Sequence, residues 1–384
     1  MLKKYLLLVG VLLCIFTLSA CKGKDTSTNS DGVDLPNTTV TPQADAEEDT
    51  AEAVDEADIA AGDAAVEDTD EKAVETVALE DQKHLITVKF ESKLLSYALV
   101  KGTPTKETLI YLPPSYYSSE KRYPVVYFFH GFSESPYYVR SSEKVFTKLM
   151  QEAQMKEFIV VGVDGRTKGT DGSFFANSSV TGQWEDYVVN EIIPYIDENY
   201  RTIAKAESRG TAGFSMGGFA CLNLAFLYPD TFSSVLSLCP GLLKDGSLEI
   251  AMKSWNGDSQ FLKCYGQTFS PNPDSKSLGD IPKMDGSEAD AVIRDHWENG
   301  FGKLQEKIDN YQALNQSLNK IEIIFGSSDS YKWIPEGSKY FSELLTAEGI
   351  EHTLIEIPGG HTIPGNYTEE YFVPFFSEAL SFEE

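Results

Sequence analysis

At 384 residues the chain is long enough for one large core or two small ones, and its 59 acidic against 32 basic side chains leave a net charge of -27. That balance argues against nucleic acid or an anionic membrane surface as a partner bound through charge, because phosphates would be repelled. The charge is uneven: Lys22 to Lys83 carries 19 acidic and 4 basic residues, and aromatic and aliphatic runs become dense only beyond it.

Lys3 and Lys4, the apolar run Leu6 to Phe16 and the small residues after it read as an export signal over residues 1–20. The run is too short for a comfortable membrane span. It closes on Leu18, Ser19, Ala20 and Cys21, which resembles the lipobox of bacterial lipoproteins. That resemblance implies lipid attachment at Cys21, an extracytoplasmic location and a membrane partner reached through the anchor. An ordinary cleaved signal is the competing reading. Residues 21–83 are rich in Asp, Glu, Ala and Thr and nearly free of aromatics, so burial cannot offset ordering entropy. A disordered acidic linker is expected there, a self-repelling spacer between membrane and domain.

From residue 84 to 384, strand and helix signals alternate. Apolar or β-branched runs occur at Ile86 to Phe90, Thr108 to Leu112, Pro124 to Phe129, Phe158 to Val163, Gly210 to Phe214, Ser234 to Leu238, Ile321 to Phe325 and Thr353 to Ile357. Helical periodicity falls at Ser142 to Ala153, Glu185 to Tyr200, Met216 to Tyr228, Gly302 to Leu318, Pro335 to Ala347 and Glu369 to Leu380. This order predicts an α/β domain with a mostly parallel, eight-stranded sheet, helices on both faces, and ligands bound beyond the carboxyl ends of the strands. Residues 242–300 interrupt the alternation. They show no clear strand but hold Trp255, Phe261, Tyr265, Phe269 and Trp297, and are expected to form a long lid-like insertion over the site. The competing reading is that these aromatics form the insertion's own small core.

Gly213, Phe214, Ser215, Met216 and Gly217 spell GxSxG between a predicted strand and a predicted helix. That context suits a nucleophile elbow, where glycines leave room for a sharp turn and the serine hydroxyl projects from the sheet. A serine hydroxyl needs a base near neutral pH. His361 is the candidate, following the last strand and Gly359 and Gly360, whereas His352 precedes that strand and belongs at the opposite edge. Asp329, just beyond the strand ending at Phe325, is the candidate to orient the imidazole, with Asp295 the weaker competitor. Two backbone donors would hold the oxyanion: the amide of Met216, and that of Phe132 in the His130-Gly131-Phe132 loop. His130 reads as a residue that fixes this loop. No metal cluster or cofactor motif is evident. Of the five cysteines, Cys14 leaves with the signal and Cys221, Cys239 and Cys264 are expected as free thiols, with a Cys239 to Cys264 disulfide the lesser alternative.

Together these residues resemble an esterase family that includes esterase D, feruloyl and acetylxylan esterases and the mycolyltransferases. The resemblance runs through Tyr123 to Phe132, Trp184 to Tyr200, Gly213 to Gly218, Asp329 and Gly359 to His361. It implies the α/β-hydrolase fold, a catalytic Ser215, Asp329 and His361, and oxyanion donors at Phe132 and Met216. Two features depart from the pattern. A tryptophan often follows the catalytic histidine in feruloyl esterases, whereas Thr362, Ile363 and Pro364 stand here, and Ser215 and Asp329 lie 114 positions apart. The leading expectation is acyl-enzyme hydrolysis of small-molecule or polysaccharide esters. Acyl transfer to a sugar or envelope acceptor, and a non-catalytic binding module, are the alternatives. The export signal disfavours S-formylglutathione as substrate.

Overall fold

Four strands are buried at every position: β3 (Val125–Phe129), β4 (Ile159–Val163), β7 (Arg209–Phe214) and β8 (Ser234–Leu238). Burial on both faces requires layers on both sides of the sheet, which is why β3 and β4 read as unbroken apolar runs, while β7 after Arg209 and β8 hold only apolar or small residues. The computed structural model describes residues 82–382 except 101, 103, 153–154, 168–170 and 256–257. The expected export signal, Cys21 and the expected linker up to residue 81 lie outside the described residues.

The remaining strands are β1 (Leu85–Glu91), β2 (Thr105–Tyr111), β9 (Lys320–Gly326), β10 (Thr353–Ile357) and the small pair β5 (Asn177–Ser178) and β6 (Gly182–Gln183). The eight-stranded sheet has the order β1-β2-β4-β3-β7-β8-β9-β10. Only β2 runs against its neighbours. All eight predicted sheet strands are present, and the edge strands β1 and β10 have half-exposed or exposed positions, as edges should. The register places Phe129 beside Gly213, Phe214 beside Leu238, Leu238 beside Ile324, and Gly326 beside Ile357. Five parallel strands therefore end together, and their following loops share one side of the molecule.

The helices are α1 (Tyr137–Gln151), α2 (Trp184–Asp186), α3 (Ile193–Asn199), α4 (Met216–Leu227), α5 (Leu248–Trp255), α6 (Ser259–Phe269), α7 (Glu288–Glu298), α8 (Leu304–Ala313), α9 (Trp333–Ala347) and α10 (Val373–Ala379). A π turn, Tyr187–Ile192, joins α2 to α3, and another, Thr368–Phe372, leads into α10. Each comes just before a proline, Pro194 or Pro374, whose missing N–H breaks the ordinary ladder. Asn177 Oδ1 accepts from the amides of Glu185 and Asp186, so the small hairpin caps α2 from outside the helix.

Residues 242–300 differ from the expected long loop, for they hold α5, α6 and α7. Side-chain caps start two of these: Asp258 accepts from the Phe261 amide at 3.0 Å and Ser287 from the Asp290 amide at 3.2 Å. Tyr265 and Trp297 are fully buried. The Tyr265 hydroxyl donates to the Trp297 carbonyl and accepts from the Phe301 amide, and the Trp297 ring donates to the Asp280 carbonyl. Cys221, Cys239 and Cys264 are buried and none is in a disulfide among the described residues, so the disulfide alternative is not realised.

Phe372 sits in an aromatic cluster, with ring centroids 5.6 Å from Tyr138, 5.5 Å from Phe146 and 5.1 Å from Phe376. Phe372→Ala should lower the unfolding free energy by about 3–5 kcal/mol. Tyr97→Ala, at an 83% exposed side chain, should change it by less than about 0.5 kcal/mol. Urea unfolding midpoints at constant m-value check the contrast.

Candidate active site

Ser215 follows β7 and stands at the N-cap position of α4 with φ 57° and ψ -112°, a region that costs a side-chain-bearing residue about 1–3 kcal/mol. Its neighbours leave no space for anything but glycine. A Cβ at Gly213 would lie 2.1 Å from the Gly217 carbonyl oxygen, and one at Gly217 would lie 1.9 Å from that of Phe129. The Ser215 amide donates to the Leu238 carbonyl at 2.9 Å, and its carbonyl accepts from Phe219 as the first bond of α4. The turn is thus locked between β3, β8 and its own helix.

His361 Nε2 lies 2.8 Å from Ser215 Oγ, and His361 Nδ1 lies 2.8 Å from Asp329 Oδ2. Asp329 is fully buried and its Oδ1 accepts from the Tyr331 amide at 2.8 Å. An acceptor-only carboxylate opposite Nδ1 makes that nitrogen the donor and leaves Nε2 to accept from the serine hydroxyl. The His361 ring packs 5.0 Å from Phe214 and 5.2 Å from Tyr331. Backbone bonds from Ser327 to Ile357 and from Ser328 to Gly359 tie the loop after β9 to the loop after β10, fixing the Asp329–His361 distance. The competitor Asp295 is instead exposed and paired with Lys303, and His352 bonds Ser342 beside the amino end of β10.

The loop after β3 completes the arrangement. His130 is fully buried; its Nδ1 donates to the Gly131 carbonyl at 2.7 Å and its Nε2 accepts from the Gly165 amide at 2.9 Å. Asp164 lies 3.6 Å from that Nε2. Burial is the largest single influence on the Asp164 carboxyl and raises its pKa, but the two-pronged bond from the Arg166 side chain, the bond from the Arg166 amide and the neighbouring His130 together outweigh it and hold the pKa well below the usual range. In this loop the amide of Gly131 donates to Glu134 Oε2, that of Ser133 to the Asp171 carbonyl, and that of Glu134 to the Gly131 carbonyl. Among the described residues, the Phe132 amide has no protein acceptor, and neither has the Met216 amide at the start of α4. Both residues line one cleft of about 280 Å³ with Ser215 and His361. This geometry can activate a hydroxyl and receive a developing oxyanion.

Cys239, Asp329 and His361 offer three donor atoms within 4.8 Å of one another. They do not suit a metal, because the Asp329 and His361 atoms already share a hydrogen bond. Burial also pushes the Cys239 thiol up to about 12, so it stays protonated.

The family model Putative esterase matches residues 105–364, which contain every one of these groups. The chain belongs to this family. Esterase Rv1288 of Mycobacterium tuberculosis is 30% identical over 268 residues, covering 66% of this chain and 51% of that protein. The chain thus spans about half the length of that curated relative. An endo-1,4-beta-xylanase/feruloyl esterase of Xylanibacter ruminicola is 32% identical over 134 residues, 32% of this chain and 18% of that protein. Among solved structures, a ferulic acid esterase matches with TM-score 0.56 at 20% identity, covering 77% of this chain and 98% of its own. The serine hydrolase FphF of Staphylococcus aureus matches with TM-score 0.53 at 17% identity, covering 76% and 98%. These likenesses show that this esterase-family chain has the α/β-hydrolase fold.

Of the aromatics expected over the site from residues 242–300, Trp255 and Phe261 reach the cleft. The structure adds Tyr331, Trp333 and Glu134, which sequence reasoning did not select. Tyr265 and Trp297 do not line the cleft, and serve the core instead. A helix start at Trp333 rather than Pro335 is what brings that indole to the site.

Gly217→Ala should cost about 3 kcal/mol or more, because a backbone carbonyl occupies the new methyl's position. Gly365→Ala, with no atom within 4 Å of the added Cβ, should be nearly neutral. Thermal unfolding of the purified pair measures the difference.

Proposed function

We propose that this chain is a serine esterase that hydrolyses carboxylic esters through an acyl-enzyme. The observation that carries the reading is the hydrogen-bonded series Ser215, His361, Asp329 opening on a cleft with two unused amides. Ser215 Oγ attacks the ester carbonyl while His361 Nε2 takes its proton. The carbonyl oxygen becomes an oxyanion that accepts from the Phe132 and Met216 amides, and Asp329 stabilises the imidazolium. Collapse returns the proton from His361 to the leaving alkoxide and leaves Ser215 acylated. Water, deprotonated by the same nitrogen, then attacks the acyl carbonyl, and the carboxylic acid leaves as the proton passes back to Ser215 Oγ.

The substrate class that fits best is an acetyl or feruloyl ester of a polysaccharide. Trp255, Phe261, Tyr331 and Trp333 supply flat apolar faces beside Ser215, suited to a sugar ring or an aromatic acyl group. The resemblance over 134 residues to a protein named as xylanase and feruloyl esterase points the same way. Attachment to a membrane through a lipid on Cys21, outside the cytoplasm, belongs to the same proposal and rests on the lipobox-like Leu18 to Cys21.

Ser215→Ala and His361→Ala should each lower kcat for an aryl acetate by about 10⁴-fold or more with folding unchanged, and a fluorophosphonate should label wild type but not Ser215→Ala. Near wild-type turnover in a clean Ser215→Ala preparation would refute the mechanism. A chelator should leave the rate unchanged. Trp255→Ala should lower kcat/KM for a feruloyl ester about tenfold relative to a methyl acetate; equal losses on both would remove it from substrate recognition. For the anchor, a clickable fatty acid should mark wild type and spare Cys21→Ser, and equal marking would exclude that site.

A further inference from the structure

The cleft beside Ser215 is one-sided in charge. Glu134 lines it from the loop after β3 and Asp258 from the start of α6, while no lysine or arginine is among its described lining residues. Lys332, between the lining Tyr331 and Trp333 in sequence, is not part of that lining. Neither carboxylate has an ion-pair partner among the described residues. Each uses one oxygen on a backbone amide, Glu134 Oε2 on Gly131 and Asp258 Oδ1 on Phe261. Glu134 Oε1 and Asp258 Oδ2 have no protein partner among the described residues, and both side chains are exposed.

We infer that the cleft is selective for charge, admitting esters that are uncharged or cationic near the scissile bond and turning away anionic ones, with Glu134 and Asp258 as the discriminating side chains. This rests on the esterase reading above and adds to it the class of substrate. An anionic group beside Ser215 meets two like charges, with no cation among the described lining residues to offset them. The free carboxylate oxygens accept from the hydroxyls of a neutral sugar. The protein's field adds to the effect, since the chain beyond Lys83 carries a net charge of about -14, repelling anions before they arrive.

The test uses the acetate esters of 4-hydroxybenzamide, 4-hydroxybenzoate and a 4-hydroxyphenyl trimethylammonium, each kcat/KM divided by the ester's own hydroxide-catalysed rate. At low salt the benzoate should fall about tenfold or more below the benzamide and the ammonium ester should equal or exceed it. The gap should close as salt shortens the screening length. In Glu134→Gln/Asp258→Asn, which keeps an acceptor for both backbone amides, the gap should shrink about tenfold. In the control Glu120→Gln/Glu351→Gln, at exposed positions away from the cleft lining, it should persist. Equal normalised rates for benzoate and benzamide in wild type, or an equal narrowing in both double variants, would overturn the assignment. A second arm is independent of turnover: calorimetric binding of 4-hydroxybenzamide and 4-hydroxybenzoate to Ser215→Ala. Tighter binding of the amide supports the charge preference even where no ester is hydrolysed, and equal affinity refutes it. Loss of turnover on all three esters in wild type counts against the esterase reading alone.

Discussion

Ser215 stands at positive φ where the chain must turn from the end of β7 into α4 within one residue. Such a conformation persists only where the surroundings over-determine it. Here the constraint is backbone against backbone: Gly213 against Gly217, Gly217 against the Phe129 carbonyl, and Gly218 against that of Leu238. These approaches also set the distance between α4 and the sheet. The sequence GFSMGG is therefore a packing requirement before it is a chemical one. The same turn leaves the first amides of α4 facing outward, which puts an electropositive helix end beside the serine hydroxyl.

The placement of Asp329 and His361 depends on a different device. Burying Asp329 completely would be costly for an unpartnered carboxylate, yet one oxygen receives the Tyr331 amide and the other the His361 ring. Burial makes the second bond strong, and the imidazole is held in the single tautomer whose Nε2 accepts from Ser215. The loops bearing the two residues are joined through Ser327 and Ser328, and Gly326 lets them approach, for a Cβ there would lie 2.5 Å from the Gly360 carbonyl oxygen. The third loop is held by His130, which bridges Gly131 and Gly165 and so plays the structural part its sequence position suggested. With the amides of Gly131, Ser133 and Glu134 occupied, the Phe132 amide is left without a protein acceptor among the described residues, at a residue that lines the cleft.

Much of this was legible in the sequence because strands buried on both faces are written as runs of apolar or small residues, and because the glycines and prolines mark where the runs end. The meeting of Ser215, Asp329 and His361 followed from assigning each to the carboxyl end of a strand. Less legible was the stretch from 242 to 300. Its helices are short, with Pro271, Pro273 and Pro282 between α6 and α7, so each apolar stripe spans only two or three turns. The capping residues Asp258 and Ser287, the latter followed by Asp290, were the available signals. The β5 and β6 pair was beyond reach, since a two-residue strand has no periodicity to detect. Tyr331, Trp333 and Glu134 were missed as cleft residues because a position just after a strand end says little about which way its side chain will point.

The aromatics of residues 242–300 show why core and cleft are not separable here. Tyr265 contacts Trp255, Phe301 and Phe174, while Trp255 packs 5.3 Å from Trp333 and 4.7 Å from Phe261. The Trp333 indole donates to Ser254 Oγ at 3.0 Å, linking α9 to α5, and Phe261 closes on Phe132 at 4.9 Å, linking α6 to the loop with the unused amide. One aromatic network thus runs from buried packing to the cleft wall. A change in the size of a ring at the wall is transmitted to the packing behind it, because close-packed interiors deform together rather than locally. The carboxylates at the same rim are exposed, and each ties a single backbone amide, Gly131 for Glu134 and Phe261 for Asp258. An amide of the same shape keeps that acceptor, so charge at this rim can be changed with less disturbance to the packing than ring size can.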